Sequence, residues 1–96
     1  MKKGGFAYIM ANNRPTMYTG STENLVKRVW QHKNEVADGF TKQYHLHKLV
    51  YYEQFETIIQ AIMREKQIKD MNRKEKIKMI ESFNPKFEDL YKQILD

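Results

Sequence analysis

Two short apolar and aromatic runs, residues 6–10 (FAYIM) and 17–20 (MYTG), flank a cluster of turn formers at residues 11–15 (ANNRP). Bulky residues bounded by Asn and Pro read as two strands of an antiparallel hairpin. An isolated hairpin is marginal in water, so the remaining chain must cover it with another strand or with helices. Its 96 residues leave room for one hydrophobic core and no second. The expectation is a single domain over residues 1–96.

Gly20 ends the second run, where the backbone needs a positive φ or a close approach. Ser21 and Thr22 are both good N-caps, and Glu23 places an acid in a first turn. Over residues 23–33, Leu25 and Val29 stand four apart with Val26 and Trp30 beside them, a helical stripe. Residues 34–44 (NEVADGFTKQY) are polar and contain Gly39, which reads as a loop or a frayed helix end. Residues 48–55 (KLVYYEQF) read as a third strand.

A longer helix starts at Glu56 or Thr57 and runs to about Met71. Ile58, Ile62, Glu65, Ile68 and Asn72 follow its three-or-four spacing, with Ala61 on the same face. Residues 74–82 form a further helical stretch, and Asn84, preceding Pro85, belongs in an extended turn. Residues 87–95 (FEDLYKQIL) read as a short final helix. There is no internal repeat and no linker. The order β-β-α-β-α-α implies an α/β (α+β) domain: a small antiparallel three-stranded sheet flanked by helices.

The chain has no cysteine, which excludes a disulfide scaffold, a thiolate zinc site and cysteine nucleophile chemistry. That absence fits a reducing cytoplasm, the expected location. No apolar run follows Lys2 and Lys3 as in a secretory leader, and none approaches the ~20 residues of a membrane span. Seventeen Lys and Arg against twelve Asp and Glu give +5, a field that favours approach to polyanions.

Some residues are not explained by strand and helix building. Glu65 falls between Ile62 and Ile68 on an apolar helix side, where a carboxylate must be paired, hydrogen-bonded or metal-bound. Pairing with Lys69 at i+4 is the plain alternative. Arg28 and His32, four apart, project from one helix face and offer a cation beside a group that moves protons near neutral pH. Tyr8 and Tyr18 place hydroxyls in the hairpin, where core tyrosines with one polar partner are the commoner case. His45 and His47 flank Leu46 and share a strand face; such a pair can bind metal, but no third ligand is evident.

Order and spacing tie these residues together. Ala7-Tyr8-Ile9 followed by Tyr18-Thr19-Gly20 resembles the paired GIY and YIG motifs of the GIY-YIG nuclease superfamily. Arg28 and His32 match the superfamily's next signature, Glu65 its helical glutamate and Asn84 its late asparagine. The likeness covers nearly the whole chain and is closest to the small single-domain, excinuclease C N-terminal-like branch, which residues 39–44 (GFTKQY) also resemble. Ala7 stands for the first motif's glycine and Thr19 for the second motif's isoleucine.

The resemblance implies a metal-dependent endonuclease that hydrolyses phosphodiester bonds in nucleic acid, with DNA the expected polymer and repair or recombination the setting. Glu65 would hold Mg2+ or Mn2+, Arg28 would grip a phosphate oxygen, and Tyr8 would be the general base, its pKa lowered by neighbouring cations. His32 would assist the proton transfer, Tyr18 would orient water or phosphate, Lys42 would add a phosphate contact, and Asn84 would support the pocket. A protein partner would supply targeting, and no membrane is involved. Two other readings compete: a nucleic-acid-binding module of the same fold that does not cleave, and a protein–protein interaction domain using residues 73–78 or 87–95.

Overall fold

Strand β1 (Gly5–Ala11) is buried at every residue, and this makes it the middle of the sheet. The computed structural model describes residues 4–37 and 39–95; Lys2 and Lys3 lie outside them. Strands β2 (Met17–Thr22) and β3 (Lys48–Phe55) pair antiparallel with β1 on its two sides, in the order β2-β1-β3. Helices α1 (Leu25–Lys33), α2 (Gly39–Gln43), α3 (Ile58–Asp70) and α4 (Arg73–Phe83) flank it. The fold is the three-stranded antiparallel α+β arrangement expected. No described helix is long and apolar enough to cross a membrane.

Strand alternation divides the interior in two. Phe6, Tyr8 and Met10 point to one face and pack with Leu25 and Val29 of α1, with Leu46 and Leu49, and with Leu90 and Ile94 near the C-terminus. Ala7, Ile9 and Ala11 point to the other and meet Val50, Tyr51, Ile68 of α3 and Ile80 of α4. The ladder between β1 and β3 slips once: Ile9 faces Tyr51 but Met10 faces Leu49, which leaves Val50 as an extra residue. A bulge puts neighbouring side chains on one face, as seen for Val50 and Tyr51. The side chain of Asn84 donates to the carbonyl of this Val50 at 3.1 Å and to that of Glu88 at 2.7 Å, and accepts from Glu88 N at 3.1 Å.

Three local expectations are corrected. The second strand does not stop at Gly20, because Ser21 and Thr22 pair with Ala7 and Phe6; α1 is therefore capped by Asn24, which accepts from Lys27 N at 3.1 Å. Residues 34–44 hold the short helix α2, entered through Gly39 at φ +59°. The final helix shrinks to a 3-10 turn at Tyr91–Ile94. Phe87 sits at φ +51°, outside helical space, and Asp89 ties the segment to β3 by accepting from Leu49 N and Tyr91 N, each at 3.1 Å.

Candidate active site

The buried face of β1 and the inner side of α1 deliver Tyr8, Arg28 and His32 to one place. The Tyr8 hydroxyl lies 2.8 Å from His32 Nε2, and Arg28 Nε donates to it at 3.4 Å. On the far side of the imidazole, His32 Nδ1 lies 3.0 Å from Thr41 Oγ1 of α2. Tyr8, His32 and Thr41 are all buried. Tyr18 closes the group from β2, its ring centroid 6.4 Å from that of Tyr8 and 5.6 Å from that of His32. Arg28 is steadied by Gln31, to which Nη1 donates at 3.3 Å.

Gly20 makes room for this arrangement. It sits opposite Tyr8 in the ladder, and a Cβ there would fall 2.6 Å from the Tyr8 hydroxyl oxygen and 2.7 Å from Cζ. Close approach, not a positive φ, is the reason for glycine at this position.

Burial pushes the Tyr8 hydroxyl up to about 12, and the hydrogen bond from Arg28 offsets only part of that rise. This reverses the lowered pKa expected for Tyr8. The hydroxyl keeps its proton at neutral pH. Arg28 is shifted upward, first by its bond to Tyr8, and stays a firm cation.

Glu65 approaches from α3, which packs on the opposite face of the sheet. Its carboxylate accepts from Ser21 Oγ at 2.5 Å and pairs with Lys69 Nζ at 2.6 Å, with the side chain 16% exposed. Ser21 is next to Gly20 on the edge strand β2, so Glu65 touches the sheet at that edge, one residue from the glycine that faces Tyr8. Its charge reaches Tyr8, where it is a minor contribution to the raised pKa. The apolar side assigned to α3 is narrower than expected: Ala61 and Ile68 are buried, but Ile62 is 38% exposed. One half-buried carboxylate reached from the sheet edge is a donor set that fits Mg2+ or Mn2+, hard ions that need few protein oxygens and retain water.

Beside Tyr18, a groove is lined by Phe40, Lys69 and Lys76 as well as Met17 and Thr19. Lys42 is exposed on α2. Asn84 bonds to Val50 and Glu88, none of them a member of this group. Sequence reasoning missed Ser21, Thr41 and Gln31. Ser21 carried a signal, since it directly follows the motif glycine; Thr41 lay in the 39–44 stretch that resembles the same branch, but no helical stripe there turned its side chain inward.

A family model described as the GIY-YIG catalytic domain matches residues 4–78. The chain belongs to the GIY-YIG family. It is 37% identical over 89 residues to a UPF0213 protein of Clostridium perfringens, covering 93% of this chain and 96% of that protein. A UPF0213 protein of Syntrophus aciditrophicus is 36% identical over 81 residues, 83% of this chain and 92% of the relative. One from Staphylococcus saprophyticus is 35% identical over 75 residues, 78% and 92%. No solved structure matches. The family's name spells Gly-Ile-Tyr, so with Tyr8 as its tyrosine the first motif is Phe6-Ala7-Tyr8, and Ala7 holds the isoleucine place, not the glycine place assigned from the sequence. The GIY-YIG motifs are thus the two adjacent strands β1 and β2, whose register sets the tyrosine of one against the glycine of the other.

Proposed function

We propose that this GIY-YIG domain is a divalent-metal-dependent endonuclease that hydrolyses phosphodiester bonds in nucleic acid, with DNA as the polymer. The observation that carries the reading is the chain of contacts Arg28–Tyr8–His32–Thr41 beside a carboxylate at the sheet edge. Mg2+ or Mn2+ held by Glu65 supplies neutralisation of charge on the phosphate and on the departing oxygen.

The chain's own residues do the rest. Tyr8 accepts from Arg28 and keeps its proton, so it donates to His32 Nε2, and the His32 tautomer that receives this bond carries its hydrogen on Nδ1, toward Thr41. Water attacking phosphorus gives its proton to the Tyr8 oxygen as the Tyr8 hydrogen passes to Nε2; His32 becomes the imidazolium and Tyr8 ends as it began. A tyrosine that relays a proton does not need the low pKa of one that must ionise first.

Arg28 has more N–H groups in its fork than its bonds to Tyr8 and Gln31 use, and these grip a nonbridging phosphate oxygen. Tyr18 orients the phosphate from β2. Lys69 and Lys76 with Tyr18 and Phe40 offer charge and ring faces to the flanking nucleotides, and Lys42 adds a peripheral phosphate contact. Asn84 supports the fold by pinning the C-terminal segment to the Val50 bulge.

One observation favours a second reading, a nucleic-acid-binding module that does not cleave: Lys69 already neutralises Glu65. Plasmid nicking in Mg2+ or Mn2+ separates the two. Cleavage that disappears in Glu65→Ala and Arg28→Ala supports the nuclease. Salt-dependent DNA binding with no cleavage by the wild type overturns it.

A further inference from the structure

Away from the tyrosine group, the connection leaving α1 and the turn leaving α2 bring Glu35, His45 and His47 together. His45 Nδ1 lies 2.7 Å and His47 Nε2 2.9 Å from the same carboxylate oxygen, Glu35 Oε2. One ligand atom from each residue falls within 4.8 Å of the other two. The rings stand nearly edge to face, 6.0 Å between centroids at 73°, so their nitrogens converge without stacking. Two of the three non-glycine residues described at positive φ are Glu35 (+56°) and His45 (+55°). Such backbone persists where surrounding contacts fix it, often at ligand sites. The third ligand that the His-x-His pattern lacked is thus ten residues upstream of His45, brought in by α2.

We propose that Glu35, His45 and His47 bind a Zn2+ ion at a site separate from Glu65. Two imidazoles and one carboxylate with an open position form a ligand set that suits zinc, whereas magnesium prefers oxygen alone. In tetrahedral zinc the ligand atoms stand about 3.3 Å apart, so loading asks each ring to withdraw from Glu35 by roughly half an ångström. His45 and His47 side chains are 70% and 44% exposed and have the freedom to do so.

The ion would clasp the two ends of the segment that carries α2. Thr41, the buried partner of His32 Nδ1, lies between those ends. Zinc would therefore restrain the helix that holds the catalytic imidazole's far side, without touching the reacting atoms.

The test is calorimetric titration of Zn2+ into untagged protein with Mg2+ in excess, together with the visible spectrum of Co2+ in place of zinc. One equivalent is expected in the wild type and in Glu65→Ala, with affinity reduced at least about a hundredfold in His45→Ala and in His47→Ala. Both histidines are surface residues, so melting temperatures of the metal-free variants should match the wild type; Glu35→Gln gives an independent third variant. No binding by the wild type overturns the site, as does binding that survives both histidine substitutions or is lost with Glu65.

Discussion

The Tyr8 hydroxyl and His32 Nε2 are 2.8 Å apart, with both side chains removed from solvent and Arg28 against the same oxygen. In the relay, Tyr8→Phe deletes the atom that receives the proton but leaves the ring. Turnover should fall by about 10²–10⁴ with little change in half-saturating DNA concentration, the usual range for a lost proton-transfer group. Wild-type nicking rates in that variant would remove Tyr8 from the mechanism.

Lys69 pairs with Glu65, and a metal bound there as proposed would compete with it for that carboxylate. Lys69→Met should therefore lower the Mg2+ concentration for half-maximal nicking several-fold, while Glu65→Gln should abolish metal-dependent nicking. An unchanged Mg2+ midpoint in Lys69→Met, read from a metal titration of the nicking rate, would mean that Lys69 does not guard Glu65.

The raised Tyr8 pKa also bears on stability. Its folded value of about 12 exceeds the ordinary tyrosine value of 10.0, so the protonated form is favoured by folding. The associated stability is fully present below pH 10.0 and is lost as pH rises through about 12. The loss attributable to this group is about 3 kcal/mol. Urea unfolding at pH 9 and at successively higher pH should show a smaller alkaline decline in Tyr8→Phe than in the wild type.

Gly20→Ala would press a methyl group onto the Tyr8 ring at 2.6–2.9 Å. Overpacking of this kind costs about 1–3 kcal/mol. Chemical denaturation would register the loss, and a variant as stable as the wild type would show that Tyr8 can step aside.

Asn84→Ala removes a buried amide that serves Val50 O, Glu88 O and Glu88 N. With buried backbone groups left unpaired, the expected destabilisation is about 2–3 kcal/mol, and amide exchange should quicken first near Val50 and Leu90. Exchange that quickens around Tyr8 instead would place Asn84 with the tyrosine group.

Elements with a strong local pattern were legible in the sequence. Thr57 caps α3 within one residue of the expected start, and β3 spans the expected residues, because capping chemistry and apolar runs are local. Arg28 beside His32 followed from helical spacing, and the hairpin from its turn formers, but not the register that sets Tyr8 across from Gly20. What escaped were contacts made by pairing across the chain: Ser21 continuing the strand, Thr41 behind His32, and Glu35 between two histidines. Each joins segments with no common period, so no single stretch announces it. The Tyr8 pKa escaped for a related reason. Its sign is set by how deeply the ring is enclosed, which depends on α1, β2 and the C-terminal segment together.

Ser21, Gly20 and Tyr18 lie on an outermost strand of the sheet, and the groove beside them opens outward. A threadlike molecule laid along such a border is touched only where it crosses, and both of its tails can run on indefinitely. For the proposed nuclease, closed circles and interior positions should then be as accessible as free ends.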